Sequence, residues 1–93
     1  MIHENIERQV EEMFREAEDA HRAEISAAAG EDPEWPLWYA ERLRTGLSDV
    51  LAATFTKSEL IYMLVLAEKQ RESEAPGSNR ARFWAGFFVD RYV

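Results

Sequence analysis

The sequence predicts an all-α fold, a four-helix bundle-like domain built from two helical hairpins. Three observations carry this expectation. Apolar residues recur at three- and four-residue steps along most of the chain. Thr56-Lys57-Ser58-Glu59 is a capping box, which opens a helix where the apolar run behind it could by itself be a buried strand. The third observation is an echo between two breaks in the chain. Asp32 to Ala40 holds two of the three Trp and two of the three Pro, and 45 residues after Trp38-Tyr39-Ala40 comes Phe83-Trp84-Ala85, just past Pro76-Gly77. Each half then reads as a helix, a short Pro/Gly loop and a second helix opening on two aromatics and an alanine. Short connections make sequential helices antiparallel neighbours. Whether the two hairpins superpose is left open.

The first helix is expected from about Ile2 to Ala29, with Ile6, Val10, Met13, Ala17, Ala20 and Glu24 on one narrow stripe and Gly30 as a left-handed stop. Mostly alanine after Met13, the stripe should pack closely but contribute little area. The opposite face places Glu11, Arg15, Glu18 and Arg22 at pairing distance. The second helix should begin at Pro36, a favoured first-turn residue. Tyr39, Ala40, Leu43, Leu47, Val50 and Leu51 share its apolar face, Trp38 falls on the polar side, and Gly46 is expected to kink or break it. In the third helix Leu60 to Ala67 is apolar all round, which predicts the central helix of the fold. Glu68 to Glu72 are helix formers and settle the choice against a strand. Ser78 or Asn79 can cap the last helix, where Phe83, Trp84, Phe87, Phe88 and Tyr92 cover a broad arc with Arg91 projecting into its middle.

Residues 1–93 make one domain. A chain this short buries about 60–65 % of its unfolded surface, enough for one modest core that often relies on a partner. The 18 acidic against 11 basic residues leave a net charge of -7, which repels phosphate backbones and argues against nucleic acid as a partner. An acidic protein that imitates nucleic acid remains an alternative. With no cysteine, disulfides and thiolate metal sites are excluded. Met1 to Glu7 is acidic and lacks an apolar run, so no secretory signal is expected. The longest apolar run, Leu60 to Ala67, is far short of the about 20 residues that span a bilayer. These readings predict a cytoplasmic protein with no membrane contact.

The segment Asp32-Pro33-x-Trp35-Pro36-x-Trp38-Tyr39-Ala40, followed by Thr56-Lys57-Ser58-Glu59-Leu60, resembles small bacterial all-helical proteins that carry the same aromatic signature and have no established activity. The resemblance covers roughly the middle third of the chain. It implies a helical bacterial domain and transfers no functional residue.

Candidate chemistry is sparse. Glu18-Asp19-Ala20-His21 has the Glu-x-x-His spacing of di-iron bundles, which need further carboxylates and usually a second such motif. A homodimer could supply the second copy, with Glu11 or Glu24 adding ligands. The competing reading puts Glu18 and His21 on the solvated face of an acidic helix. His3 lies at a terminus, no serine has a histidine near it in sequence or a nucleophile-elbow pattern, and the glycines at 30, 46, 77 and 86 are too scattered to cradle a phosphate. No cofactor and no metal site are expected.

The aromatic residues are the stronger candidates. Trp35, Trp38, Tyr39 and Trp84 can line a pocket or a partner-binding patch, or fill the gap between the hairpins. Trp35 and Trp84 read as core. Trp38 lies outside the apolar face of its helix, so it marks a contact surface of a dimer or partner unless the alanine-rich first helix covers it. Arg42, one turn on, can stack over it. Trp35, Trp38, Tyr39 and Arg42 therefore form the expected binding surface. Arg80, Arg82 and Arg91 could hold an anion, but Arg91 is better read as complementing its helix dipole and pairing with an acidic residue of the first helix.

The function expected is a non-enzymatic protein-interaction or regulatory module that associates with itself or with another protein. One alternative is a metal- or small-molecule-binding helical domain using Glu18/His21 or the Trp cluster. The other is an acidic inhibitor that imitates nucleic acid.

Overall fold

A computed structural model describes residues 2–28 and 32–93, with side chains at 4–25 and 32–93. It contains four helices, α1 (Ile2–Ala28), α2 (Trp35–Leu51), α3 (Lys57–Glu74) and α4 (Arg80–Tyr92), and no strand among the described residues. Each helix packs against two others, in the ring α1–α2–α3–α4, and α1 meets α4 most extensively. The bundle's long dimension is 41 Å. At 1.5 Å per residue α1 alone spans about 40 Å. No described helix is long and apolar enough to cross a membrane.

The caps follow the local chemistry. Thr56 accepts from the Glu59 N–H at 3.0 Å and starts α3, while Asn79 accepts from the Arg82 N–H at 3.0 Å and starts α4. α2 begins at Trp35, one residue before the expected Pro36, and ends on Ala52 with φ 53°. That left-handed position usually holds glycine. The expected stop at Gly30 lies outside the described residues, as does the side chain of His3.

Three expectations about the helices need correction. Gly46 neither kinks nor breaks α2, which is continuous. A Cβ there would stand 2.7 Å from Met13 Cε, so the tip of the Met13 side chain occupies the space that the glycine leaves. The expected stripe packs on the core through Ile6, Val10, Met13 and Ala17, but among the described residues of α1 Phe14 and His21 are buried as well and Glu24 is not. Helix α1 faces two neighbours, so it buries a wider arc. Met13 approaches α2, while Phe14 meets Trp84 and Phe88 of α4 at ring-centroid distances of 5.3 and 5.5 Å.

The third correction concerns α3, which is not central. Its buried residues are Leu60, Leu64, Ala67, Glu68 and Arg71, a single stripe, and Tyr62 within the apolar run is 66 % exposed. A ring of four helices has no central member. The middle is filled instead by side chains, above all Trp84, Phe14, Phe88, Leu47, Leu60 and Leu64.

The echoed residues occupy matching places. Tyr39 and Ala40 are buried, as are Trp84 and Ala85, while Trp38 and Phe83 are half-buried. Tyr39 and Trp84 meet edge to face with centroids 5.3 Å apart, so the second aromatic of each hairpin packs on the other.

Candidate functional site

Up-and-down connectivity brings the C-terminal turns of α1 and α3 to the same end of the bundle as the first turns of α2 and α4. A cavity of about 440 Å³ opens there, within the range of small-molecule sites. Its aromatic wall is Trp35, Tyr39 and Trp84, and Ile25 adds an aliphatic patch. Trp35 stacks on Trp84 with centroids 5.7 Å apart and an interplanar angle of 21°, and Tyr39 stands edge-on to Trp35 at 6.0 Å.

The polar wall is organised around Glu68, on the buried stripe of α3. Its Oε1 accepts from Arg71 Nε at 2.9 Å, Arg80 Nε at 3.2 Å and Trp84 Nε1 at 3.0 Å. Its Oε2 accepts from Arg71 Nη2 at 2.8 Å and Arg80 Nη2 at 3.2 Å. Burial alone would raise the Glu68 pKa, but hydrogen bonds from the two guanidinium groups outweigh it and hold the carboxyl below its ordinary range. Arg71 also donates to the Pro76 and Ser78 carbonyls, which pins the α3–α4 loop. Arg80 reaches across to Glu18 at 3.0 Å, so one carboxylate ties together α3, α4 and, through Arg80, α1.

His21 and Asp32 form a second polar pair, with Nε2 to Oδ2 at 2.9 Å. The hydrogen bond from His21 holds the Asp32 carboxyl below its usual range. Asp32 is then ionised, and the ring nitrogen is the donor. Asp32 also accepts from the Glu34 N–H at 3.0 Å, so it fixes the entry to α2 while anchoring that entry to α1. The His21 ring lies 4.8 Å from Trp38 and 5.1 Å from Tyr39.

Tyr39 is 3 % exposed and lines the cavity. Burial, and after it the Glu18 carboxylate, push its pKa up to about 12, so the phenol stays protonated.

The structure divides the expected binding surface. Trp35 and Tyr39 face the cavity, whereas Trp38 and Arg42 lie outside it. Tyr39 is buried and Trp35 and Trp38 are half-buried, so these rings form an inner wall and its flank. Trp38 is covered from within, its Nε1 donating to Glu24 and its ring resting against His21 and Tyr39. Arg42 stacks over it as expected, 5.3 Å from the ring centroid.

Glu18 and His21 do not lie on a solvated face. His21 is buried, and both residues line the cavity. Each is already engaged, Glu18 by Arg80 and His21 by Asp32, and no group of three or more metal-ligating side chains gathers among the described residues. Glu11 pairs with Arg15 at 2.6 Å as expected, while Arg22 turns to Asp19. Arg91 lies 3.7 Å over the Phe87 ring and makes no ion pair with α1 among the described residues.

Glu68 and Arg71 escaped sequence reasoning about sites, while Arg80, read there as able to hold an anion, pairs with the carboxylates of Glu18 and Glu68. One signal was available: Glu68 and Arg71 continue the spacing Leu60, Leu64 of the buried stripe, and a charged pair in core phase calls for partners. No protein family, curated protein or solved structure matches this chain.

Proposed function

We propose that this protein is a non-enzymatic binding module that holds a small organic ligand in the cavity at the loop end of the bundle. The observation that carries the reading is the cavity itself, about 440 Å³ with a three-ring aromatic wall. Mostly apolar walls with a few convergent polar groups are the usual form of such sites. The Glu68 network makes the walls rigid, so a ligand would meet a formed site. Metal chemistry lacks support, since His21 is held by Asp32 and no group of three or more metal-ligating side chains gathers among the described residues.

A screen of small cationic, neutral and anionic fragments by NMR tests the reading. A ligand in the cavity moves the indole N–H signals of Trp35 and Trp84 and leaves that of Trp38 in place, because Trp38 is outside the lining. A screen in which no fragment moves the first two signals selectively would overturn it.

Self-association is the second reading. It is supported by Tyr62, 66 % exposed in the middle of the apolar run of α3. Light scattering on a sizing column tests it, and a Tyr62→Glu variant should dissociate any dimer formed through that face.

A further inference from the structure

The charge of the cavity narrows the ligand class. Four carboxylates line it, Glu18, Asp32, Glu68 and Glu72, against two guanidinium groups, Arg22 and Arg80. They differ in how far each is already satisfied. Glu68 is saturated by five donors, and Asp32 is held by His21 and the Glu34 N–H. Glu18 accepts a single hydrogen bond, from Arg80, and Glu72 accepts none among the described residues. On the cationic side Arg80 is committed to Glu18 and Glu68, and Arg22 is bonded to Asp19. Carboxylates outnumber guanidinium groups in the lining four to two, and Glu72 has no ion pair among the described residues, so the cavity is anionic on balance, and the -7 charge of the whole chain adds long-range attraction for positive ligands.

Two further features agree. The Tyr39 side chain lines the cavity with its phenol protonated, so an entering polar group has a hydroxyl to meet. The ring of Trp84 already carries a guanidinium, Arg80, 6.0 Å from its centroid. Aromatic faces of this kind attract cations through their quadrupole.

We propose that the cavity takes a small organic cation, an ammonium or guanidinium group on an apolar or aromatic body. Glu18, Glu72 and the Tyr39 hydroxyl satisfy the charged end, and the half-buried Trp35, backed by Trp84, holds the body. This rests on the binding reading above and adds the sign of the ligand's charge. Hydrogen-bonding cations fit better than quaternary ammonium ions, because the open acceptors are carboxylates that want an N–H donor.

The test uses three probes of similar shape and different charge: phenethylamine, 2-phenylethanol and 3-phenylpropionate. Each is titrated into the intact chain while the indole N–H signals are followed. The amine should bind about tenfold more tightly than the alcohol, the worth of one charge-assisted contact, with the carboxylate weakest. Glu72→Gln should shrink the amine's advantage about threefold, as expected for an ion pair to an exposed carboxylate, and leave the alcohol unchanged. Glu16→Gln, an exposed carboxylate outside the cavity lining, is the charge-matched control and should do nothing. Tyr39→Phe should weaken the amine without moving its site.

Equal affinities across the series, or preference for the carboxylate, would overturn the cation assignment. If the alcohol or the carboxylate moves Trp35 and Trp84 while the amine does not, the cavity is a binding site of the opposite preference. If none of the three moves those signals at millimolar concentration, the cation assignment fails, and the binding reading fails with it unless another fragment of the screen does so.

Discussion

Replacing Glu68 with glutamine keeps the shape of the side chain and removes the charge that ties α3 to α4. Five hydrogen bonds reach the carboxylate, four of them from Arg71 and Arg80 and one from Trp84. The amide can still accept at one oxygen. Its NH2 group, however, faces guanidinium N–H donors where the second oxygen stood, so donors meet donors. Removing one partner of a buried ion pair costs about 3–5 kcal/mol. The Arg71 and Glu68 side chains are 10 % and 11 % exposed and deserve that treatment, but Arg80 is 40 % exposed and its share is screened by water. The low end of the range follows, about 3 kcal/mol.

A domain of this size has about 5–14 kcal/mol of stability, so the variant would lose a large fraction of it. The melting temperature should fall by about 12–24 °C. Urea unfolding followed by circular dichroism and tryptophan fluorescence measures the loss, with an unchanged m-value showing that the folded state is otherwise intact. The pH dependence gives an independent check. The Glu68 carboxyl lies below its ordinary value of 4.5 in the folded protein. Its contribution is therefore complete above that value and is lost as pH falls through the lower folded value. The gap between wild type and Glu68→Gln should narrow in acid. A loss under about 1 kcal/mol at neutral pH would refute the reasoning, since an ordinary surface pair costs that much.

Three further predictions follow from single positions. Thr56→Ala removes the bond to the Glu59 N–H and should lower stability by about 1 kcal/mol in the same urea assay; an unchanged midpoint would mean that the cap is not used. Ala52→Gly should raise stability by about 0.5–1 kcal/mol, because glycine occupies the left-handed φ of 53° without Cβ strain. Trp38→Ala should cost about 2 kcal/mol of folding stability with no change in mass by light scattering, because the ring is covered by His21, Tyr39 and the Glu24 bond within the same chain. Weaker self-association with folding intact would instead restore Trp38 as a contact surface.

Local chemistry written into the chain determined the helices. The Thr56 box, the Asn79 cap, the Pro36 start and the Pro76-Gly77 break act over three or four residues, a distance at which backbone and side chain meet whatever the rest of the molecule does. For the same reason the aromatic echo could be read directly, and so could the stack of Arg42 on Trp38, one turn apart. Where each helix faces was a different matter. The single stripe drawn for α1 did not include Phe14 or His21, yet each is buried, because α1 packs between two neighbours and needs a wider apolar arc. The same limit made Leu60 to Ala67 read as a central helix, although one side of it ends at an exposed Tyr62. Tertiary packing alone decided the cavity. Glu18 and Arg80 lie 62 positions apart in the chain, and Glu68 and Trp84 lie 16 apart, so no local period relates them. They meet because antiparallel packing brings two helix starts and two helix ends to one place, where charged groups excluded from water must find one another.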